Sequence, residues 1–431
     1  MTQQKRVLIV GSFCNLSGYS DHARLVADSL IAQNSGHKFY LLDLQWAESS
    51  RDMKYVKKYG SMINETAQYF NFLKQTGTPT HQGFDCSFQV RAPNEFSRMT
   101  RYDVGVTAAL ETVSAPSEWI PKCNELQKIL VVSEHAKKNL QNAKDESGNR
   151  ITTNIEVIPF YNNLKDSSVR KPFSGYDEIT TDTNFLCVSQ LAPRKNLINM
   201  LDWFTEEFYD NENVGLILKT HLRNNSIPDY DYTKNQLQSF LNMNKNRADK
   251  KCKVYLLHGN MNEEEMHGLY DPKTIRGYIS ATHGEGFGIP MFNAACSDIP
   301  VIAPAWSGHL DFLRASVKNE KSGKAKIQSL FLKTKYKVED VQEHHLMPGL
   351  ITAGSQWCYP DKDSFKKNLR TLADRPSLYL EEAAILGKYA RLKFSKENIY
   401  QKYGSVMNSI FALTGDQNAE AKAGNRQILE L

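Results

Sequence analysis

No stretch of the chain approaches the roughly 18 consecutive apolar residues that a membrane-spanning helix needs. Mean hydropathy is −0.50 over 431 residues, so no helical membrane span is expected. The first apolar run, Val7 to Val10, is four residues long. That is too short for the core of a secretory leader, and the expected location is the cytoplasm. Cysteine is sparse. The seven (Cys14, Cys86, Cys123, Cys187, Cys252, Cys296 and Cys358) are odd in number, widely spaced and without a C-x-x-C pair. This argues against a disulfide framework or a structural zinc site and for reduced thiols. The sequence also lacks G-x-G-x-x-G, which Gly11 and Gly18 do not supply, so a nicotinamide-dinucleotide site is not supported. No internal repeat is visible. Neither sign of charge dominates: the net charge of +5 is compatible with an anionic substrate or nucleic acid and demonstrates neither. With 41% hydrophobic and 23% charged residues, the composition is globular, and the length predicts about two to three domains.

What is present is an alternation of short apolar runs and helical stripes. Arg6–Gly11 reads as a buried strand. After a loop with Asn15, Ser17 and Gly18, Ser20-Asp21 is expected to cap a helix with Ala23, Val26, Ala27, Leu30 and Ile31 on one stripe. Phe39–Leu44, Val104–Val106, Ile129–Val132 and Ile155–Pro159 read as further strands, and Ser133 as the cap of a helix from Glu134. Lys165 to Thr183 is polar and reads as a linker. The pattern then restarts with Asn184–Ser189, a helical stripe of Leu197, Met200, Leu201, Phe204 and Phe208, and strands at Val214–Lys219, Lys253–His258, Gly277–Ser280 and Val301–Ala303. The expected fold class is α/β, with two doubly wound Rossmann-like domains over residues 1–170 and 180–395 and a ligand cleft between them. A helix over 396–414 is expected to cross back to the first domain, and 415–431 to form a polar tail.

The densest chemical cluster is Thr282-His283-Gly284-Glu285-Gly286-Phe287-Gly288-Ile289-Pro290-Met291-Phe292-Asn293, between an expected strand and helix. Its glycines would let backbone N–H groups approach a ligand at the positive end of a helix, which favours a phosphate or a sugar oxygen. Glu285 is expected in a surface turn, free to accept hydrogen bonds from hydroxyls and holding no core. The stretch Gln190-Leu191-Ala192-Pro193-Arg194-Lys195-Asn196 puts two adjacent cations after a strand, where they could neutralise a diphosphate. Thr107 to Thr112 puts Glu111 just past another strand end. His221, His258 and His283 stand at strand ends facing the expected cleft and read first as structural or solvated; His283, inside the glycine cluster, is also a donor-binding candidate. His344-His345 has no partner at metal-ligand spacing. Asp229-Tyr230-Asp231 and Asp361-Lys362-Asp363 fit D-x-D, but neither directly follows an expected strand, so no metal is expected.

Together these clusters resemble one family, the GT-B glycosyltransferases of the retaining group called family 4. The resemblance covers most of residues 5–405 and is most specific in the C-terminal half. Phe185 to Asn196 is similar to that family's donor-diphosphate loop, Glu285 to Pro290 to the start of its Glu-x7-Glu motif, and Ile299 to His309 to the strand and loop that follow. Gly105-Val106-Thr107 with Glu111, and Val132 to Lys137, are also family-like. The resemblance implies no cofactor, only a nucleotide-sugar co-substrate, expected to be a UDP-sugar. It implies Lys195 and Arg194 on the donor diphosphate and Glu285 on the transferred sugar. Gly286 and the backbone at Phe287 and Gly288 would support sugar and phosphate, and Gly18 and Tyr19 would face donor and acceptor. His309, in the loop after the motif, is a further candidate. Two positions depart from the family: Gln190 stands where it usually has Arg, and Asn293 stands for the second glutamate, which usually holds the ribose. Glu111 occupies the region of the family's N-domain histidine.

The implied function is retaining transfer of a sugar to an acceptor hydroxyl, by a front-face route in which the leaving diphosphate helps take the acceptor proton. Arg314, Lys318, Lys321, Lys324, Lys326, Lys333, Lys335 and Lys337 are opposed only by Glu320 within 24 residues. Such a run reads as a solvated loop or as a phosphate-backbone strip for nucleic acid. Arg51, Lys54, Lys57 and Lys58 form a smaller basic patch. Arg91 to Phe96 and Gly105 to Thr112 look similar to phage-encoded members of the family; some phage glycosyltransferases decorate hydroxymethylcytosine in DNA, so DNA is the leading specific acceptor. The alternatives are a glycan, lipid or protein acceptor, a nucleotide-sugar epimerase or phosphorylase, and a non-catalytic sugar- or DNA-binding protein.

Overall fold

The computed structural model describes residues 4–34, 36–45, 49–165, 169–243, 249–318 and 324–423, with side chains as far as residue 412. Two six-stranded sheets organise it, and every pairing within them is parallel. The first holds β1 (Arg6–Gly11), β2 (Lys38–Asp43), β3 (Cys86–Val90), β4 (Asp103–Thr107), β5 (Lys128–Val131) and β6 (Asn154–Val157), in the order β2-β1-β3-β4-β5-β6. The second is built from β7 (Thr183–Val188), β8 (Val214–Lys219), β9 (Lys253–Leu257), β10 (Ile275–Ile279) and β11 (Val301–Pro304). After them come β12 (Arg314–Lys318), β13 (Ala325–Ser329), β14 (Leu332–Thr334), β15 (Tyr336–Asp340) and β16 (Gln356–Pro360). Of these β14 joins the sheet, giving the order β14-β11-β10-β7-β8-β9, while β12 pairs with β13 and β15 with β16, both antiparallel.

Strands covered on both faces lose their polar alternation, which is why Val7, Leu8 and Ile9 are all fully buried. The exception is β3, whose Ser87 and Gln89 interrupt the apolar run. Both are buried and satisfied: the Ser87 hydroxyl donates to Asp103 at 2.6 Å and the Gln89 amide to the Ser97 carbonyl at 2.6 Å. Each sheet has a switch point where the chain reverses direction across it, between β1 and β3 in the first and between β7 and β10 in the second. Ligands in such sheets bind beyond the carboxyl ends of the strands at these points.

Several local expectations change. The helix after β1 runs Gly18–Gln33, and its cap is Ser17, whose hydroxyl accepts the Ser20 N–H at 3.1 Å. Ser20 is therefore inside the first turn, and its own hydroxyl donates to Ser12. The described part of the basic run after Leu313 is not a loop but β12 to β15: β12 and β13 pair as an exposed hairpin, and β14 returns to the edge of the sheet beside β11. Glu320 and Lys321 lie outside the described residues. The final helix, Lys396–Ala423, extends past the expected start of the tail, while 424–431 lies outside the described residues.

That helix returns to the first domain. Ile399, Tyr403, Val406, Met407 and Ile410 recur on one face and are at most 3% exposed. They pack with Ala23, Val26 and Leu30 of the helix Gly18–Gln33 in one apolar cluster. The domains are also joined by aromatic rings: Phe160, beyond β6, meets Phe287 at 5.3 Å, and Phe287 meets Phe292 and Phe312 at 5.1 Å each. Among the described residues no helix is long and apolar enough to cross a membrane, and all seven cysteines are free and buried.

Tyr403 is fully buried where the final helix packs on the first domain. Tyr403→Ala is expected to destabilise the protein by about 3 kcal/mol or more, the range for deleting a large buried ring. Urea unfolding measures it, and a midpoint equal to that of the wild type would mean that the helix does not clasp the first domain.

Candidate active site

The loops that follow β7 and β10 flank the switch point of the second sheet, and they carry the two chemical clusters. Facing them are the loop after β1 and the loop after β4. Between the domains lies a cleft of about 850 Å³, lined by residues of these loops and of the helix starts that follow them: Ser17, Gly18 and Tyr19, Ala108 and Glu111, Gln190, Arg194 and Lys195, and Glu285 to Pro290.

At its centre is a network of four charges. The Lys195 ammonium donates to both oxygens of Glu285 at 2.7 Å. Arg194 Nη1 reaches Glu285 Oε2 at 3.3 Å, Glu111 Oε1 at 3.2 Å and the Gly284 carbonyl at 2.6 Å. One guanidinium nitrogen thus bridges a carboxylate of the first domain and a carboxylate of the second. Glu285 is not a surface residue, as its turn had implied: it is 8% exposed, because the domain carrying Glu111 closes over it. Burial works against its charge, but the ammonium and guanidinium beside it outweigh that, and its pKa falls to about 2. Burial and the neighbouring Arg194 push the Lys195 ammonium below its usual value despite the pull of Glu285. Arg194 is pushed up, because Glu111 and Glu285 outweigh its desolvation.

The backbone around Glu285 is equally constrained. Its N–H donates to the Ser307 hydroxyl oxygen at 2.8 Å, and its carbonyl accepts the Gly308 N–H at 2.9 Å. Ser307 lies 3.3 Å from His309 Nδ1, and His309 Nε2 lies 2.7 Å from the Pro304 carbonyl. The carbonyl can only accept, so Nε2 carries the proton and Nδ1 accepts from Ser307. Burial holds His309 below its ordinary pKa, in keeping with a neutral ring. His309 therefore props Glu285 through Ser307 rather than reaching the cleft itself. Ser307 was not singled out from the sequence; its φ of +77°, unusual for a serine, is a conformational fact that residue patterns do not display.

The glycines serve protein contacts as much as ligand approach. A Cβ on Gly284 would lie 2.7 Å from that of Glu111, one on Gly286 would lie 3.0 Å from the Ala108 carbonyl, and one on Gly308 would lie 2.0 Å from the Gly286 carbonyl. At Gly284 and Gly286 the first domain's loop fills the space a side chain would need, and at Gly308 the Gly286 backbone does. Ser133 adds a cross-domain bond, its hydroxyl donating to the Gly286 carbonyl at 2.6 Å.

The other candidates are placed as follows. The Tyr19 hydroxyl lies 3.1 Å from that of Thr107, and burial raises its pKa to about 12. Gln190 lines the cleft and donates to the Leu222 carbonyl at 3.0 Å. The Phe287 ring belongs to the aromatic core, so only its backbone is on offer. His283 stacks on Trp357 at 4.7 Å, with Nδ1 2.6 Å from the Cys358 carbonyl, and burial lowers its pKa to about 4. It anchors β16 rather than joining the charged network. Asn293 lies beside the buried Tyr270 hydroxyl, one helical turn after Ile289 and Pro290, which line the cleft. Sequence reasoning passed over Lys219, which ends β8, lines the cleft and is 7% exposed; burial lowers its pKa to about 8. A lysine closing an apolar strand was the available signal.

Both D-x-D segments have structural work. Asp229 accepts the N–H groups of Arg223 and Asn225 at 2.9 and 3.0 Å and meets His258 at 3.1 Å. Asp361 caps the helix Lys362–Asp374 through the Ser364 N–H at 2.7 Å. Among the described residues no three His, Cys, Asp or Glu side chains are grouped to hold a metal ion.

Glu285 has a folded pKa below its unfolded value, so its stabilising contribution is complete above about pH 4.5 and is lost as the pH falls toward 2. Glu285→Gln is expected to cost about 3 kcal/mol at pH 6 by leaving two cations short of a counter-charge, with the deficit shrinking below pH 4. Urea midpoints of both proteins at pH 6 and pH 3 test this; a deficit that does not change with pH would separate Glu285 from the cations.

No protein-family model matches the chain, and no curated protein matches it. Solved structures do. A sucrose-phosphate synthase from Thermosynechococcus elongatus is 11% identical, with a TM-score of 0.61 over 95% of this chain and 100% of that one. HepE of Anabaena, solved with UDP and glucose, is 13% identical, with a TM-score of 0.59 over 94% of this chain and 100% of that one. A UDP-forming α,α-trehalose-phosphate synthase from Burkholderia xenovorans is 9% identical, with a TM-score of 0.57 over 96% of this chain and 100% of that one. At such identities the likeness speaks to architecture, and the two facing Rossmann-like domains are those of the GT-B fold.

Proposed function

We propose that the protein is a glycosyltransferase that moves a sugar from a nucleotide-sugar donor, a UDP-sugar by preference, to an acceptor hydroxyl with retention at the anomeric carbon. The observation that carries this reading is the charged network of Glu111, Arg194, Glu285 and Lys195 in a nucleotide-sized cleft at the switch point of the second sheet. HepE, which shares the fold, was solved with UDP and glucose, in keeping with a donor of that kind.

The residues divide the work. Lys195 has three N–H donors and gives two to Glu285, leaving one for a phosphate oxygen. The bonds of Arg194 use Nη1, leaving its other nitrogens to face the diphosphate. Glu285, held as an anion, accepts from sugar hydroxyls. The acceptor oxygen bonds to the anomeric carbon on the face from which the diphosphate departs, the carbon–oxygen bond to phosphate breaks, and the acceptor proton passes to the departing diphosphate. Glu111 and Glu285 are both tied to one guanidinium, which disfavours either as a covalent nucleophile.

For the acceptor we propose hydroxymethylcytosine in DNA, and with it a phage-encoded role. Arg314, Lys318, Lys326, Lys333, Lys335 and Lys337 are exposed on β12 to β15, a charge density suited to a phosphate backbone. The smaller patch contributes less, since Arg51 pairs with Asp43, Lys54 with Glu263 and Lys58 with Asp28.

Two outcomes are expected. Hydroxymethylcytosine-containing DNA incubated with a panel of sugar nucleotides and digested to nucleosides should yield a glycosylated base by mass spectrometry. Transfer only to glycan, lipid or protein acceptors would end the DNA reading, and absence of transfer and of nucleotide release with every donor would end the glycosyltransferase reading. Transfer should also continue in EDTA, because side chains supply the positive charge; loss of activity that returns on adding a divalent cation would refute that.

A further inference from the structure

The network around Glu285 is formally neutral: two cations face two carboxylates. A diphosphate entering the cleft therefore needs positive charge from elsewhere. Lys219 is the side chain positioned to give it. It closes β8 in register with Val188 of β7, the strand whose next residues lead to Arg194 and Lys195. It is 7% exposed and lines the same cleft. Its ammonium donates to the Gly259 carbonyl at 2.8 Å and lies 3.3 Å from Asn225 Oδ1, both neutral acceptors. Among the described residues no carboxylate lies within ion-pair distance of it. Asp229, the buried carboxylate in the first turn of the helix Ile227–Met243, is taken up by backbone N–H groups and His258. A buried ammonium without a counter-ion is costly, and a lysine spends that cost usefully when a ligand brings the negative charge. Arg223, exposed in the same loop, also lines the cleft.

We propose that Lys219 is an anion-binding residue of the cleft that holds the diphosphate of a nucleoside diphosphate or its sugar conjugate. The assignment rests on the nucleotide-sugar reading above and adds to it a buried positive charge that no carboxylate of the network offsets. The third ammonium proton, not used by Gly259 or Asn225, is available to a phosphate oxygen.

The test is calorimetric titration of the full chain with UDP, GDP, ADP, CDP and dTDP. The nucleoside diphosphate that the wild type binds is then titrated into Lys219→Met, Lys219→Gln and Lys219→Arg, with the corresponding uncharged nucleoside as competitor. Lys219→Gln keeps an N–H for the Gly259 carbonyl and serves if the methionine variant does not fold. The neutral variants are expected to lose about tenfold or more in diphosphate affinity, the scale of one charge-assisted hydrogen bond. They should keep the nucleoside affinity and show a shallower salt dependence, while Lys219→Arg stays within about threefold of wild type. Diphosphate affinity unchanged in both neutral variants, or a parallel fall in nucleoside affinity, would make Lys219 a structural residue and leave the nucleotide-sugar reading standing. A wild type that binds none of the five would overturn both.

Discussion

The cleft depends on one carboxylate held between two cations. Glu285 can remain charged at 8% exposure only because Lys195 and Arg194 come from the loop beside it, and the half-buried Arg194 is balanced there by Glu111 from the other domain. The network is therefore a statement about domain seating as well as local chemistry. An ion pair removed from water gains little unless its geometry is good and its remaining donors are satisfied. Here the second condition is met by carbonyls and hydroxyls of the same loops: the Gly284 carbonyl for Arg194, and Ser307 for the Glu285 N–H.

The close approach of the two domains follows from the same constraint. To bring Glu111 within reach of Arg194, the loop after β4 must press against residues 284 to 286, where any side chain on Gly284 or Gly286 would intrude on it. Gly308 then packs against the Gly286 carbonyl, and Ser133 ties that carbonyl to the first domain. Behind this polar seam the rings of Phe160, Phe287, Phe292 and Phe312 make an apolar floor. Phe287 thus joins the two layers, its backbone beside the cleft and its ring in the core.

Much of this was legible in the residues, for identifiable reasons. Strands buried on both faces announce themselves as apolar runs, so β1, β5, β7 and β8 were readable, as were the cations after β7 and the carboxylate after β10. What escaped was set by distant partners. β3 carries Ser87 and Gln89, acceptable inside a sheet only because Asp103 and Ser97 wait for them. The strands β12, β13 and β15 carry mostly exposed side chains, a pattern that a run of lysines makes look like loop. Glu285 looked solvent-facing because its turn is rich in glycine, yet those glycines mark where another domain lies against it. His283 and His309 stand in the right segments, but only the positions of Trp357 and Ser307 decide that they act as supports.

The charge state of Glu285 bears on how the proposed reaction handles its proton. A carboxylate whose pKa lies near 2 holds a proton poorly at neutral pH, so it is a weak general base. Phosphate oxygens, with a second pKa of about 6, are better matched to receive the acceptor's proton as the bond to the sugar breaks. In the proposed reaction the cations that depress Glu285 thus do two things at once: they deny the protein's own carboxylate the role of base, and they are assigned to the diphosphate on which negative charge grows, the placement that lowers a barrier most. Glu285 is then best used as a fixed hydrogen-bond acceptor for the sugar's hydroxyls. A proton route through the diphosphate also needs no second carboxylate across the ring, which accords with a site whose two acids share a single guanidinium nitrogen.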